Sequence, residues 1–228
     1  MDIRLYWTES GAGEPLVLLH GNGEDSSYFV HQTAFFSRRC RVLAVDTRGH
    51  GKSPRGSAPF TIRQFAEDLK EFLDERGIQQ ADLLGFSDGG NIALIFAMRY
   101  PERVKRLILN GANLDPAGVR AAVQLPIVLG WRMASLFAKK SADAKRNAEM
   151  LGLMVHDPMI PPEDLKKVTA PTLVIAGTKD MIRESHTRAI AQALPNARLV
   201  LLPGGHFIAN KNPEEFNRAV EDFLTETE

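Results

Sequence analysis

Short apolar runs alternate with longer stretches of helical spacing along most of the chain. Leu16 to Leu19, Val42 to Val45, Asp82 to Phe86, Arg106 to Asn110, Thr172 to Ala176 and Arg198 to Leu202 are short and rich in Val, Ile and Leu. Runs of this kind, without strict polar alternation, suit strands buried on both faces of a parallel sheet. Ile3 to Trp7 alternates and reads as an edge strand. Between the strands, Thr61 to Arg76 places Ile62, Phe65, Ala66, Leu69, Phe72 and Leu73 on one helical face. Thr61 and Gln64 can form a capping box there, and Gly77 supplies the stop. Glu214 to Leu224 gives a last helix, with Phe216, Val220, Phe223 and Leu224 facing inward. This alternation predicts an α/β fold, a mostly parallel sheet with helices on both faces.

Residues 114–167 break the rhythm. They offer no convincing strand, and they hold Trp131, Phe137, Met133, Met150, Met154 and Met159. Pro126, Pro158, Pro161 and Pro162 punctuate what read as short helical patterns. The expectation is a small helical cap at 114–167, inserted into a core built from 1–113 and 168–228, in one structural domain overall. Flexible, polarizable methionine suits the lining of an adaptable apolar pocket.

One turn carries distinctive chemistry. Gly85-Phe86-Ser87-Asp88-Gly89-Gly90 lies between a buried strand and a helical stretch. A serine on so tight a reversal presents its hydroxyl. Flanking glycines are needed where side chains would strike the neighbouring strand and helix. The hydroxyl is a poor nucleophile without a base, and the base needs a third group to orient it. Both partners follow at strand ends: Asp180 after Leu173 to Gly177, and His206 after Leu201-Leu202-Pro203-Gly204-Gly205. Loops after the C-terminal ends of parallel strands gather along one edge of a sheet, so Ser87, Asp180 and His206 are expected to project together.

Composition narrows the setting. Lys plus Arg equal Asp plus Glu at 28 each, which gives no reason to expect nucleic acid or an anionic membrane as partner. The single cysteine, Cys40, excludes an internal disulfide framework. The chain opens directly on a strand-like stretch with no signal-peptide pattern, and no apolar run approaches spanning length. A cytoplasmic, soluble protein acting on a small molecule is expected. Oligomeric state is left undetermined. Neither metal-ligand spacing nor a nucleotide-binding glycine loop is present, so no cofactor or metal is expected.

Four motifs in order resemble the α/β-hydrolase fold over essentially the whole chain. These are His20-Gly21-Asn22-Gly23, Asp46-Thr47-Arg48-Gly49-His50-Gly51-Lys52-Ser53, the Ser87 elbow, and the Asp180 turn with Gly204-Gly205-His206. The elbow, with Asp after Ser and a double glycine, is also similar to the biphenyl-hydrolase-like branch. The resemblance implies Ser87 as nucleophile, His206 as general base and acid, and Asp180 as its orienting acid. It also implies an oxyanion hole from the backbone N–H groups of Asn22 and Asp88. Asp115 is a rival acid, because some members keep theirs after the preceding strand. His20 is expected to brace the oxyanion loop and His50 to fix a nearby one, with Asp46 and Arg48 as a supporting ion pair. The implied activity is hydrolysis of small carboxylic esters, thioesters or lactones through an acyl-enzyme. Carbon–carbon bond hydrolysis or a cofactor-free lyase reaction is the alternative, and a non-catalytic binding protein of this fold is the rival from another class.

Overall fold

A computed structural model of the protein describes residues 2–226. Among them, seven strands form one sheet in the order β1-β3-β2-β4-β5-β6-β7. The strands are β1 (Trp7–Ser10), β2 (Glu14–Leu19), β3 (Cys40–Val45), β4 (Ala81–Phe86), β5 (Val104–Asn110), β6 (Thr172–Gly177) and β7 (Ala197–Leu202). All neighbours run parallel except β1, which is antiparallel to β3. The helices are α1 (Val30–Phe36), α2 (Ile62–Glu75), α3 (Asp88–Arg99), α4 (Ala121–Phe137), α5 (Ala142–His156), α6 (Glu184–Ala193), α7 (Ile208–Lys211) and α8 (Pro213–Glu226).

The sheet grows to one side of β2 with β3 and then to the other with β4. Right-handed crossovers in opposite directions put their helices on opposite faces. Alternate strand residues therefore enter two cores. Val17, Leu19, Leu43, Val45, Leu83, Leu107 and Leu109 meet α2 and α3 on one face. Leu16, Leu18, Val42, Ala44, Leu84, Ile108 and Leu173 meet α1 and α8 on the other. This two-sided burial explains why the strands read as near-continuous apolar runs. The charges inside two of those runs are matched, since Arg106 on β5 forks onto both carboxylate oxygens of Asp82 on β4 at 2.8 and 2.7 Å.

Three local expectations are corrected. The edge strand is Trp7–Ser10, not Ile3 to Trp7. Ile3 and Leu5 are buried, so the alternation was real, but β3 ends at Val45 and offers residues 3–6 little backbone to pair with. The Asp46 N–H still donates to the Tyr6 carbonyl at 2.9 Å. The second correction concerns the capping box, of which half forms. Thr61 Oγ1 accepts from the Gln64 N–H at 3.2 Å, while the Gln64 side chain donates to Asp68. The third is that Pro126 does not break its helix, because α4 runs 17 residues through it. The lost bond is the one to the Ala122 carbonyl, and Ala122 and Pro126 both lie on the exposed side, where water replaces it. Helices α4 and α5 pack on each other as a hairpin between β5 and β6.

Candidate active site

The loops that follow β2, β3, β4, β6 and β7 bring the chemistry to one edge. Ser87 sits between β4 and α3 with φ 53°, a left-handed conformation that a side chain resists. The turn closes because its flanks carry no side chains. A Cβ on Gly85 would lie 2.2 Å from the Gly89 carbonyl oxygen, and one on Gly89 would lie 2.0 Å from the Leu19 carbonyl oxygen. The Ser87 N–H donates to the Asn110 carbonyl at 2.8 Å, which pins the reversal to β5. Helix α3 begins at Asp88, whose N–H has no acceptor within the helix.

His206 lies between the other two groups. Its Nδ1 is 2.7 Å from Asp180 Oδ1 and its Nε2 is 3.0 Å from Ser87 Oγ. A carboxylate only accepts, so Nδ1–H donates to Asp180, and Nε2 is left to accept from the Ser87 hydroxyl. The Ile182 N–H donates to the same Asp180 oxygen at 2.9 Å and holds the carboxylate in place. Asp115 is elsewhere, capping a short turn by accepting from the Ala117 N–H at 2.7 Å. Gly111, which the sequence reading did not single out, lies directly against the imidazole. A Cβ there would come within 2.8 Å of His206 Cε1. Its only signal was a glycine just after a strand end.

The loop after β2 is braced from within. His20 Nδ1–H donates to the Gly21 carbonyl at 2.7 Å, and Nε2 accepts from the Thr47 N–H at 3.0 Å. Burial pushes its pKa down, so the ring stays neutral and structural. His50 donates through Nδ1 to the Arg48 carbonyl at 3.0 Å, and burial lowers its pKa to about 4. The expected Asp46–Arg48 pair does not form. Arg48 instead forks onto Asp68 at 2.7 Å through both contacts and reaches Asp2 at 2.7 Å. Asp46 joins two loops, accepting from the Lys52 N–H of its own loop and from the Ser26 N–H of the segment after β2. The Arg48 side chain reaches a helix that follows it in the chain, which spacing alone does not reveal. Cys40 is no activated thiol, because burial and Asp82 push its pKa up while Arg39 and Arg41 turn to Glu221 and Glu9.

Two further contacts tie the hairpin to this edge. Asn22 Nδ2 donates to the Met150 carbonyl at 2.7 Å, and Arg55 forks onto Glu149 at 3.0 and 2.8 Å. Met150 therefore faces the Asn22 loop, whereas Met133 and Met159 are exposed and line nothing enclosed. Trp131 packs edge-on against His156 inside the hairpin, with centroids 4.7 Å apart.

Two carboxyls beside the site are held at high pKa. Glu24 accepts from the Gly21 N–H at 3.2 Å, and its partial burial raises it to about 7. Asp88 is buried next to Ser87, its Oδ2 without a hydrogen-bond donor among the described residues, and burial raises it to about 6. An acid with a raised folded pKa binds its proton more tightly when folded. Stability therefore falls as pH rises from the unfolded value through the folded one. For Glu24 that window runs from about 4.5 to about 7. Glu24→Gln is expected to raise the thermal midpoint at pH 8 and to lose that advantage by pH 4. A midpoint difference that does not change with pH would refute this account.

The mostly parallel sheet, the serine elbow and the acid–base–hydroxyl line define a hydrolase fold, and the chain belongs to the α/β-hydrolase-fold family, whose model matches residues 14–133. Within it, 2-hydroxymuconate semialdehyde hydrolase of Pseudomonas putida is 31% identical, covering 96% of this chain and 90% of its own. The mouse (Mus musculus) serine hydrolase BPHL is 30% identical, covering 97% of this chain and 83% of its own. The crystal structure of the enol-lactonase from Burkholderia xenovorans LB400 superposes with a TM-score of 0.80 at 27% identity, covering 98% of this chain and 97% of that one.

Proposed function

We propose that the protein is a serine hydrolase of small carboxylic esters, thioesters or lactones, with Ser87, His206 and Asp180 as its catalytic triad. The observation that carries this reading is the unbroken line from the Ser87 hydroxyl through His206 to Asp180, at 3.0 and 2.7 Å. Ser87 Oγ attacks the substrate carbonyl as His206 Nε2 takes its proton. Asp180 keeps the ring in the accepting tautomer and stabilises the imidazolium. The backbone N–H groups of Asn22 and Asp88 receive the oxyanion, a contribution of about 3 kcal/mol for one such donor. The imidazolium then returns its proton to the leaving oxygen or sulfur, which leaves an acyl-enzyme. Water activated by His206 releases the acid. Helices α4 and α5 form a small cap over this edge, which fits an enzyme for small molecules.

A second reading, carbon–carbon bond hydrolysis, draws on the 31% identity to 2-hydroxymuconate semialdehyde hydrolase. The same triad serves both, and the cap decides which substrate is held. Turnover of p-nitrophenyl esters from acetate to octanoate tests the first reading, with the chain-length optimum sizing the cap. Cleavage of a vinylogous dienone acid with no ester turnover would favour the second. The assignment of the acid has its own test. Asp180→Asn is expected to lower kcat about 10⁴-fold by losing the tautomer control. Asp115→Asn is expected to leave kcat within about twofold, since Asp115 only caps a turn on the surface. The reverse outcome would move the acid to Asp115.

A further inference from the structure

Helix α4 has the composition of a buried helix on a surface where nothing covers it. Leu125, Leu129, Met133, Leu136 and Phe137 are 52–72% exposed. They recur at three- and four-residue steps, so they form one outward stripe along the helix. The 17 residues span about 25 Å. A contiguous apolar stripe of this size marks an interaction surface.

Charge selects the partner. Residues 120–140 contain Arg120, Arg132, Lys139 and Lys140 and no acidic residue at all. Lys145 and Arg146 follow in the first turns of α5, where Asp143 is the one acid of residues 141–148 and Glu149 beyond it is taken by Arg55. Arg132, Lys139, Lys140 and Lys145 are exposed, and none has an ion-pair partner among the described residues. The even charge balance of the whole chain thus conceals a strongly basic patch around the stripe. A second copy is a poor occupant, since a two-fold contact through α4 would bring Arg132, Lys139 and Lys140 of both copies together with no acid to receive them. A partner with apolar depth and a negative surface fits both features.

We infer that α4 is a docking face for an anionic phospholipid membrane. The helix lies in the plane of the interface, with its leucines, Met133 and Phe137 entering the acyl boundary and the basic residues meeting headgroup phosphates. It does not cross, because no helix among the described residues is long and apolar enough. The inference is independent of the catalytic reading.

Co-sedimentation with phosphatidylcholine vesicles, with and without phosphatidylglycerol, tests it on the full chain. Binding is expected only with phosphatidylglycerol present, and it is expected to weaken as sodium chloride rises. Lys139→Glu with Lys140→Glu is expected to cut partitioning more than about tenfold. Leu129→Asp with Met133→Asp is expected to abolish it at every salt concentration. All four positions are exposed, and circular dichroism melts check that the variants fold. No sedimentation with either vesicle would overturn the inference, as would equal binding to both that ignores the lysine changes. A concentration-dependent dimer by light scattering, lost in Leu129→Asp, would assign the stripe to a second copy instead and overturn it as well.

Discussion

Ser87→Ala is expected to lower kcat on a p-nitrophenyl ester by about 10⁶-fold, leaving the small residual rate that binding and the oxyanion donors supply. The size of the loss follows from the arrangement. His206 Nε2 has the Ser87 hydroxyl as its partner at 3.0 Å, so removing that oxygen leaves the base with no proton to take. KM is expected to change little, because the methyl side chain keeps the pocket and the backbone donors. A companion variant separates chemistry from folding. Ser87 holds φ at 53°, a conformation costing about 1–3 kcal/mol for a residue with a side chain. Ser87→Gly is therefore expected to be as inactive as Ser87→Ala yet to melt at a higher temperature than the parent chain. Sustained turnover by either variant at more than a hundredth of the parent rate would dismiss Ser87 as nucleophile.

The largest effect on stability is expected at Arg48. Its side chain is fully buried and Asp68 is 2% exposed, and the two are joined by paired 2.7 Å hydrogen bonds. Arg48→Ala strands the Asp68 carboxylate in the interior beneath α2, and removing one partner of such a pair costs about 3–5 kcal/mol. It also removes one of the ties that hold Asp2 to the loop after β3, leaving those from the Ser57 and Ala58 N–H groups. Urea denaturation measures the loss. Arg48→Met combined with Asp68→Leu is expected to recover most of it, since no fully buried charge is then left alone and only the part-exposed Asp2 loses a partner. If the single variant lost less than about 1 kcal/mol, water would have to reach Asp68.

Wherever a single segment carried its own physical reason, the sequence was a good guide. The buried runs became β2 to β7 because two-sided burial demands unbroken apolar residues. The elbow was legible because Gly85 and Gly89 are sterically compelled. The order Ser87, Asp180, His206 was legible because each residue ends a strand or stands just beyond one. Pairings across the fold were not. Arg48 was matched to its neighbour Asp46, yet its partner is Asp68 on α2, and no local pattern distinguishes the two carboxylates. Asn22 was read for its backbone N–H, and the reach of its side chain to the Met150 carbonyl depends on how the hairpin lands. Pro126 was read as punctuation, a rule that fails where the missing bond faces water. Gly111 could not be ranked among 18 glycines until His206 was seen beside it.

Helices α4 and α5 together contribute one fully buried side chain, Leu153. Nearly all of the cooperative core lies in the sheet and the helices that flank it. Mutations in the hairpin are therefore largely decoupled from folding, and under the proposed reading of α4 and α5 as a cap, selection on substrate can proceed there without eroding the scaffold. A lineage carrying this architecture can exchange one diet for another by rewriting two helices, while Ser87, Asp180 and His206 stay where the strands put them.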